Sequence, residues 1–224
     1  MERVEVASKY VPLWDEAGNK ISSNYWESYS PKMSRKVCFF NDLDHDHWIT
    51  IEANPRVKRF CEYPAKLTFQ ADGKEMSALF DMWILWSDGK EEFRIIGFPT
   101  SPKTIGKPDS EWTKRVEGWC REHGATFSYI NEERVRANPL FISNCKRALK
   151  FLVKSKMREE HALALMAKIR ETEGISIADV LGSNNQLSEE DILNGIFWLL
   201  FSGKISSDLE QRQLSKNTLL YGPS

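Results

Sequence analysis

The chain has 224 residues, enough for one large domain or two ordinary ones. Apolar residues make up 41% and aromatics 12%, which supports a sizeable core and excludes global disorder. Lys and Arg total 31 against 32 Asp and Glu, a net charge of -1, which excludes a uniformly basic nucleic-acid coat but leaves room for a local basic face.

The first 36 residues read as loop and short helix, ending in the basic stretch Lys32-Met33-Ser34-Arg35-Lys36. A helix is expected near residues 42–53, carrying Leu43, His47, Trp48 and Ile51. Asn54-Pro55 stops it, because a residue before proline resists the helical region. Short strands are expected at Val57 to Phe60 and Lys66 to Gln70, followed by the hairpin turn Ala71-Asp72-Gly73. Glu75 to Trp86 reads as one long apolar strand, Ser87-Asp88-Gly89 as a turn, and Glu91 to Phe98 as the returning strand. Residues 109–123 switch to helical spacing through Trp112, Val116, Trp119 and Cys120, and Gly124 ends that helix. Thr126 to Ile130 is again a strand. A helix between strands implies a crossover and a mixed sheet, hence an α/β arrangement.

No strand is expected between Pro139 and Lys204. Helices are expected from Asn144 to about Lys156, from Arg158 to Thr172, and from the cap Ser188 to about Ser202. Helices followed by a C-terminal strand or hairpin are the pattern of a winged helix. The reading is therefore two domains, 1–142 α/β and 143–224 all-α with a winged-helix pattern.

Charge is segregated in the second half. Residues 131–170 hold 10 basic and 4 acidic side chains, net +6, and residues 171–210 hold 1 basic and 8 acidic, net -7. So acidic a winged helix suits a protein partner better than DNA, whose binding depends on phosphate neutralisation. Lys146, Lys150, Lys154 and Arg158 recur at every fourth residue, which fits either a solvated helix face or a phosphate-binding stripe.

Cys38, Cys61, Cys120 and Cys145 form no CxxC pair and read as free thiols. The start Met1-Glu2-Arg3-Val4-Glu5 lacks the apolar core of a signal peptide. The longest purely apolar run, Ile196 to Phe201, is far short of a membrane span. These features lead us to expect a soluble, cytoplasmic protein that does not engage a membrane.

Two acids carry the candidate chemistry. Asp44 is placed on the first helix and Asp81 in the long strand, where a carboxylate needs a partner. A hard cation such as Mg2+ takes carboxylate oxygens and orients a hydrolytic water. A helix acid, a hairpin-strand acid, and a third acid plus lysine on the next strand make up a restriction-endonuclease-like site. A plainer reading puts Asp44 on a solvated helix face and makes Asp81 a hydrogen-bonded strand acid. His45 and His47 flank Asp46 at a spacing that does not share a helix face, so they read as surface or core histidines and not as zinc ligands.

From about Ser30 to the C-terminus the sequence resembles the TnsA family, the endonuclease subunit of heteromeric Tn7-like transposases. The resemblance is carried by Ser30-Pro31-Lys32, Asn41-Asp42-Leu43-Asp44, Asn54-Pro55-Arg56-Val57, Phe60-Cys61-Glu62-Tyr63-Pro64, Phe80-Asp81-Met82-Trp83 and Asp88-Gly89-Lys90-Glu91-Glu92-Phe93. It implies a restriction-endonuclease-like domain followed by a winged-helix domain, with Asp44 and Asp81 as catalytic and metal-binding residues for Mg2+. It further implies cleavage of the 5′ strands at transposon ends, and as partners DNA, a TnsB-like recombinase and a TnsC-like AAA+ ATPase. The chain departs from the family on the third strand. Where the family has Glu or Gln, then Val and Lys, this chain reads Ile95-Ile96-Gly97. Isoleucine and glycine neither bind metal nor stabilise charge at a phosphate. The nearby Glu92 and Arg94 have the opposite strand parity and are expected to face away from Asp81, and Lys103 is a remote substitute from the loop. The resemblance therefore implies a subunit of a transposase with a degraded catalytic motif, or a catalytically inactive scaffold. The remaining alternative is an unrelated DNA-binding or adaptor protein.

Overall fold

The computed structural model describes residues 9–18, 24–71, 74–97, 110–154, 159–172, 174–184 and 186–222. Asp72 and Gly73 of the expected hairpin turn lie outside them, as do Phe98, Lys103 and Arg158. The chain is a mixed α/β protein that packs as two units. One comprises Met1–Ser28, Lys36–His45 and Val57–Arg134, the other Tyr29–Arg35, Asp46–Arg56 and Val135–Ser224.

The N-terminal segment holds a short helix, α1 (Trp14–Gly18), and two strands that sequence reading passes over as loop, β1 (Trp26–Ser30) and β2 (Arg35–Phe39), which form a two-stranded sheet. Helix α2 (Asp42–Ala53) follows with the expected bounds. Asn41 caps it, its Oδ1 accepting the Asp44 N–H at 2.8 Å.

In the first unit, β3 (Val57–Glu62), β6 (Met82–Trp86), β7 (Glu91–Ile96) and β8 (Ala125–Ile130) form a four-stranded sheet in the order β3-β6-β7-β8. The β3–β6 and β6–β7 pairs are antiparallel, while β7 and β8 are parallel. Helix α3 (Glu111–Glu122) makes the crossover that parallel neighbours need. Ser110 caps it, accepting the Thr113 N–H at 3.1 Å. Its Trp112, Val116 and Cys120 pack with Phe80, Trp83 and Phe93. Each such large apolar side chain, fully buried, contributes about 1.5–3 kcal/mol.

The long strand expected from Glu75 to Trp86 is in fact two. β4 (Lys66–Ala71) and β5 (Lys74–Leu79) form their own hairpin, and the chain bends at Asp81 before entering β6. Asp81 donates its N–H to Arg94 O at 2.9 Å, although Arg94 is the register partner of Met82. Two residues thus oppose one, as in a β-bulge, and the bulge marks the break.

A short helix, α4 (Glu132–Val135), leads to the second unit, which holds α5 (Pro139–Lys154), α6 (Glu159–Arg170), α7 (Ile177–Gly182) and α8 (Glu189–Phe201). α5 begins at Pro139, five residues before the expected Asn144, because Asn138 caps it through the Phe141 N–H at 2.9 Å. Proline suits the first position of a helix, where its missing N–H has no partner to lose. Ile142, Cys145, Leu149 and Leu152 lie along its buried face. Three very short strands, β9 (Ile175–Ser176), β10 (Ser206–Ser207) and β11 (Leu219–Tyr221), pair antiparallel in the order β10-β11-β9. β9 falls in the stretch where sequence reading expects no strand. Among the described residues no helix is long and apolar enough to cross a membrane.

Candidate functional site

Asp44 is the third residue of α2 and is buried, not on a solvated face. Its Oδ2 accepts from Asn41 Nδ2 at 2.8 Å and from the Tyr63 hydroxyl at 2.8 Å. Asp42, at the first position of the helix, is bound separately by Asn24 Nδ2 and by Trp26 Nε1 at 2.8 Å. His45 stacks on Trp26 with ring centroids 4.4 Å apart, so it belongs to an aromatic contact.

Tyr63 stands just past the end of β3 with φ +46°, a left-handed conformation uncommon for an aromatic residue. Its hydroxyl accepts the Phe40 N–H at 3.3 Å, and its backbone N–H donates to Asp81 O at 3.1 Å. Burial pushes its phenol far above the ordinary range, and the charges of Asp44 and Asp81 push it the same way. Tyr63 thus bonds Asp44 through its hydroxyl and Asp81 through the main chain. Asp81 also acts with burial to raise the phenol of the half-buried Tyr129 on β8.

The end of β7 meets Asp81 through its backbone. The Ile96 N–H donates to Asp81 Oδ2 at 2.7 Å. The Ile95 side chain instead packs against the apolar core shared with α3. Gly97 lies beyond the strand with φ +96°, and a Cβ there would sit 3.4 Å from Leu43 Cδ2. Spacing alone makes Gly97 a permissive place for a lysine, but the positive φ makes it a strained one.

Glu92 and Arg94 do not rebuild the missing groups. Arg94 Nε and Nη2 donate to the two Glu92 oxygens at 2.8 and 3.0 Å. Trp86 Nε1, at the far end of β6 from Asp81, donates to Glu92 Oε2 at 2.9 Å. Burial pushes the Glu92 carboxyl up, but the Arg94 guanidinium and further donors outweigh it and hold the carboxyl below its ordinary value. The pair is thus engaged with itself, and Glu92 also with Ser128 and Trp86.

These residues do not fit Mg2+ as they stand. The ion needs carboxylate lone pairs in a near-octahedral set. On Asp44 Oδ2 two donor hydrogens already point at those lone pairs, and on Asp81 Oδ2 a backbone hydrogen does. Among the described residues no three His, Cys, Asp or Glu side chains are placed to hold a metal ion.

The basic stripe read from the four-residue spacing is only partly described. Lys146 on α5 pairs with Asp46, which also binds Arg136 Nε at 2.9 Å. Lys150 is exposed on the same helix. Lys154 closes the helix but its side chain lies outside the described residues, as does all of Arg158.

Sequence reasoning passes over Tyr63 as a site residue. It stands in the Cys61-Glu62-Tyr63-Pro64 segment, and only the folded chain brings its hydroxyl to Asp44. No protein-family model matches this chain, and no curated protein matches it.

Proposed function

We propose that the chain is a TnsA-like subunit of a heteromeric transposase that works at transposon ends as a non-cleaving scaffold. In this role it joins DNA, a TnsB-like recombinase and a TnsC-like AAA+ ATPase in the cytoplasm. The observation that carries the reading is that Tyr63 bonds the buried Asp44 carboxylate and the Asp81 carbonyl, while a backbone amide from the end of β7, which brings no acid and no lysine, caps the Asp81 carboxylate.

The sheet supports a restriction-endonuclease-like first unit. An antiparallel β3-β6-β7 set is followed by α3 and a parallel β8, and the two acids lie at the start of α2 and at the entry to β6. The order β9-α7-α8-β10-β11, with β11 central in its sheet, supports a winged-helix second unit. In that frame α8 is the helix that would read a DNA groove. It opens with Glu189, Glu190 and Asp191 and buries Ile192, Ile196, Phe197 and Leu199. Acids at that position repel phosphate, so the unit suits a protein partner, and DNA contact falls to Lys146, Lys150, Lys154 and Arg158.

A strand-specific nicking assay on transposon-end DNA tests this, with the full chain alone and with the recombinase partner. The expected result is no Mg2+-dependent cleavage by the chain, together with capture of the recombinase and the AAA+ ATPase. Nicking abolished by Asp81→Ala, or failure to capture either partner, would refute it.

A further inference from the structure

The loop between β10 and β11 is held in shape by α5. Asn144, buried on that helix, donates from Nδ2 to Leu209 O and Arg212 O, both at 2.8 Å, and its Oδ1 accepts the Leu214 N–H at 2.8 Å. Arg147 Nη1 donates to Leu214 O at 2.8 Å, and Asn138 Nδ2 to Glu210 O at 2.9 Å. The loop also closes on itself, since the Gln211 and Arg212 N–H groups both donate to Asp208 O at 2.9 Å. Leu209 and Leu214 are buried at its two ends, and Glu210, Gln211, Arg212 and Gln213 are exposed between them.

A loop whose backbone bonds are made before a ligand arrives has little freedom left to lose on binding. The side chains it presents include a guanidinium and two amides, donors suited to phosphate oxygens. The Arg212 side chain is 71% exposed, and its Nε lies 3.9 Å from Asp208 Oδ2, too far for a hydrogen bond. Helix α5 continues the same character. It contains no acid, and its exposed Ser143, Arg147 and Lys150 recur at the spacing of one helix face. Arg147 joins the two elements, because its guanidinium is bonded to the loop at Leu214 O. Arg147, Lys150 and Arg212 stand against Glu210 and the buried Asp208, so the balance of charge favours an anion. Lys216, just beyond the loop, is paired with Glu189 at 3.0 Å.

We propose that the loop from Leu209 to Leu214 is a preorganised contact for the DNA backbone, in which Gln211, Arg212 and Gln213 extend the basic face that Arg147 and Lys150 begin on α5. This rests on the reading that the chain meets DNA, and it adds a contact element outside the four-residue stripe. Asn144 is a positioning residue: it touches no DNA and fixes the backbone from which the contacting side chains project.

The test uses the full chain and a fluorescein-labelled DNA duplex, with affinity read by anisotropy across a salt series. Arg212→Gln should weaken binding several-fold at low salt and flatten the slope of log affinity against log salt by about 0.9, the share of one phosphate. Lys216→Gln removes a charge that Glu189 already pairs, so it should move both quantities far less. Asn144→Leu keeps every contacting side chain but frees the loop. It should weaken binding roughly 10-fold, the cost of ordering one or two long side chains on association, and leave the salt slope as in wild type. A purely structural Asn144 would lower stability without moving the affinity of the folded protein, and that result would overturn the proposal. If Asn144→Leu does not fold, Gln211→Ala/Gln213→Ala replaces it, with a loss of affinity at unchanged slope expected. DNA affinity indifferent to Arg212→Gln would overturn the proposal, as would an equal loss with Lys216→Gln or a wild type that binds no DNA. So would an Arg212→Gln variant that keeps DNA affinity but no longer captures the recombinase or the AAA+ ATPase, since the loop would then be a protein-docking surface. Nicking or failed partner capture by wild type sinks the functional reading but leaves these measurements unchanged, so the two failures are separable.

Discussion

Arg94→Met tests the account of the sheet's buried ion pair. Methionine keeps most of the aliphatic stem and removes the guanidinium. The Arg94 and Glu92 side chains are 14% and 11% exposed, so little solvent screens the charge left behind. Breaking a buried pair on one side costs about 3–5 kcal/mol. Loss of the Arg94 contact over the Trp86 ring, now at 5.5 Å, adds about 0.5–1 kcal/mol. Glu92 keeps its bond from Trp86 Nε1, which places the expected loss near the lower end, about 3 kcal/mol at neutral pH. The sign with pH follows from the causes. In wild type the Glu92 carboxyl is held below its ordinary 4.5, so its contribution is present above the unfolded value and is lost as pH falls through the folded one. Without Arg94 burial dominates and raises the carboxyl, so the deficit is full at neutral pH and shrinks as pH falls toward about 4.5. Urea unfolding at neutral and acidic pH measures both effects. Adding Glu92→Gln to Arg94→Met should recover at least half the loss at neutral pH. A deficit independent of pH, equal in the single and double variants, would refute the reasoning.

Three other expectations are open to direct measurement. Asn144→Leu removes the bonds from Nδ2 to Leu209 O and Arg212 O and the bond from Leu214 N–H to Oδ1, all 2.8 Å. It should cost about 3 kcal/mol in urea unfolding and speed proteolysis around residues 209–214; protection equal to wild type would count against the clamp. The triple variant Asp44→Glu/Ile95→Glu/Gly97→Lys should lose stability instead of gaining Mg2+, because the half-buried Ile95 packs against the apolar core and Gly97 sits at φ +96°. A folded triple variant that binds Mg2+ in calorimetry would show this account of β7 to be mistaken. Lys150→Glu/Lys154→Glu should weaken DNA binding at low salt and flatten its salt dependence while leaving capture of the AAA+ ATPase intact, and unchanged DNA affinity would return these lysines to a solvated helix face.

Much of the architecture is open to local reading. The bounds of α2, the meander of β6 and β7, the α3 crossover and the Ser188 cap of α8 all rest on signals within a few residues: a cap, a turn, a period, or a proline. Such signals act through short-range sterics and hydrogen bonds, so sequence alone carries them. The start of α5 escapes for a local reason of another kind, since Asn138 and Pro139 form a cap that reads equally as a helix breaker. β1, β2 and β9 escape because they are short and lack a clean alternation of apolar residues. A strand of two residues exists only through its partners, and β9 is held by β11 from over 40 residues away.

The candidate site divides the same way. Sequence by itself determined that Asp44 would stand in the first turn of a helix, and that Ile95-Ile96-Gly97 offers no acid and no lysine. It could not tell a solvated Asp44 from a buried one, because burial depends on what the rest of the chain lays over that turn. Only the tertiary structure decided that Asp44 meets the Tyr63 hydroxyl, 19 residues away, and that the Ile96 amide caps Asp81. Those contacts need a break between β5 and β6, a bulge at Asp81 and a left-handed Tyr63. Each is a departure from regular geometry that long-range packing imposes, and periodicity, which describes only regular geometry, carries no trace of it.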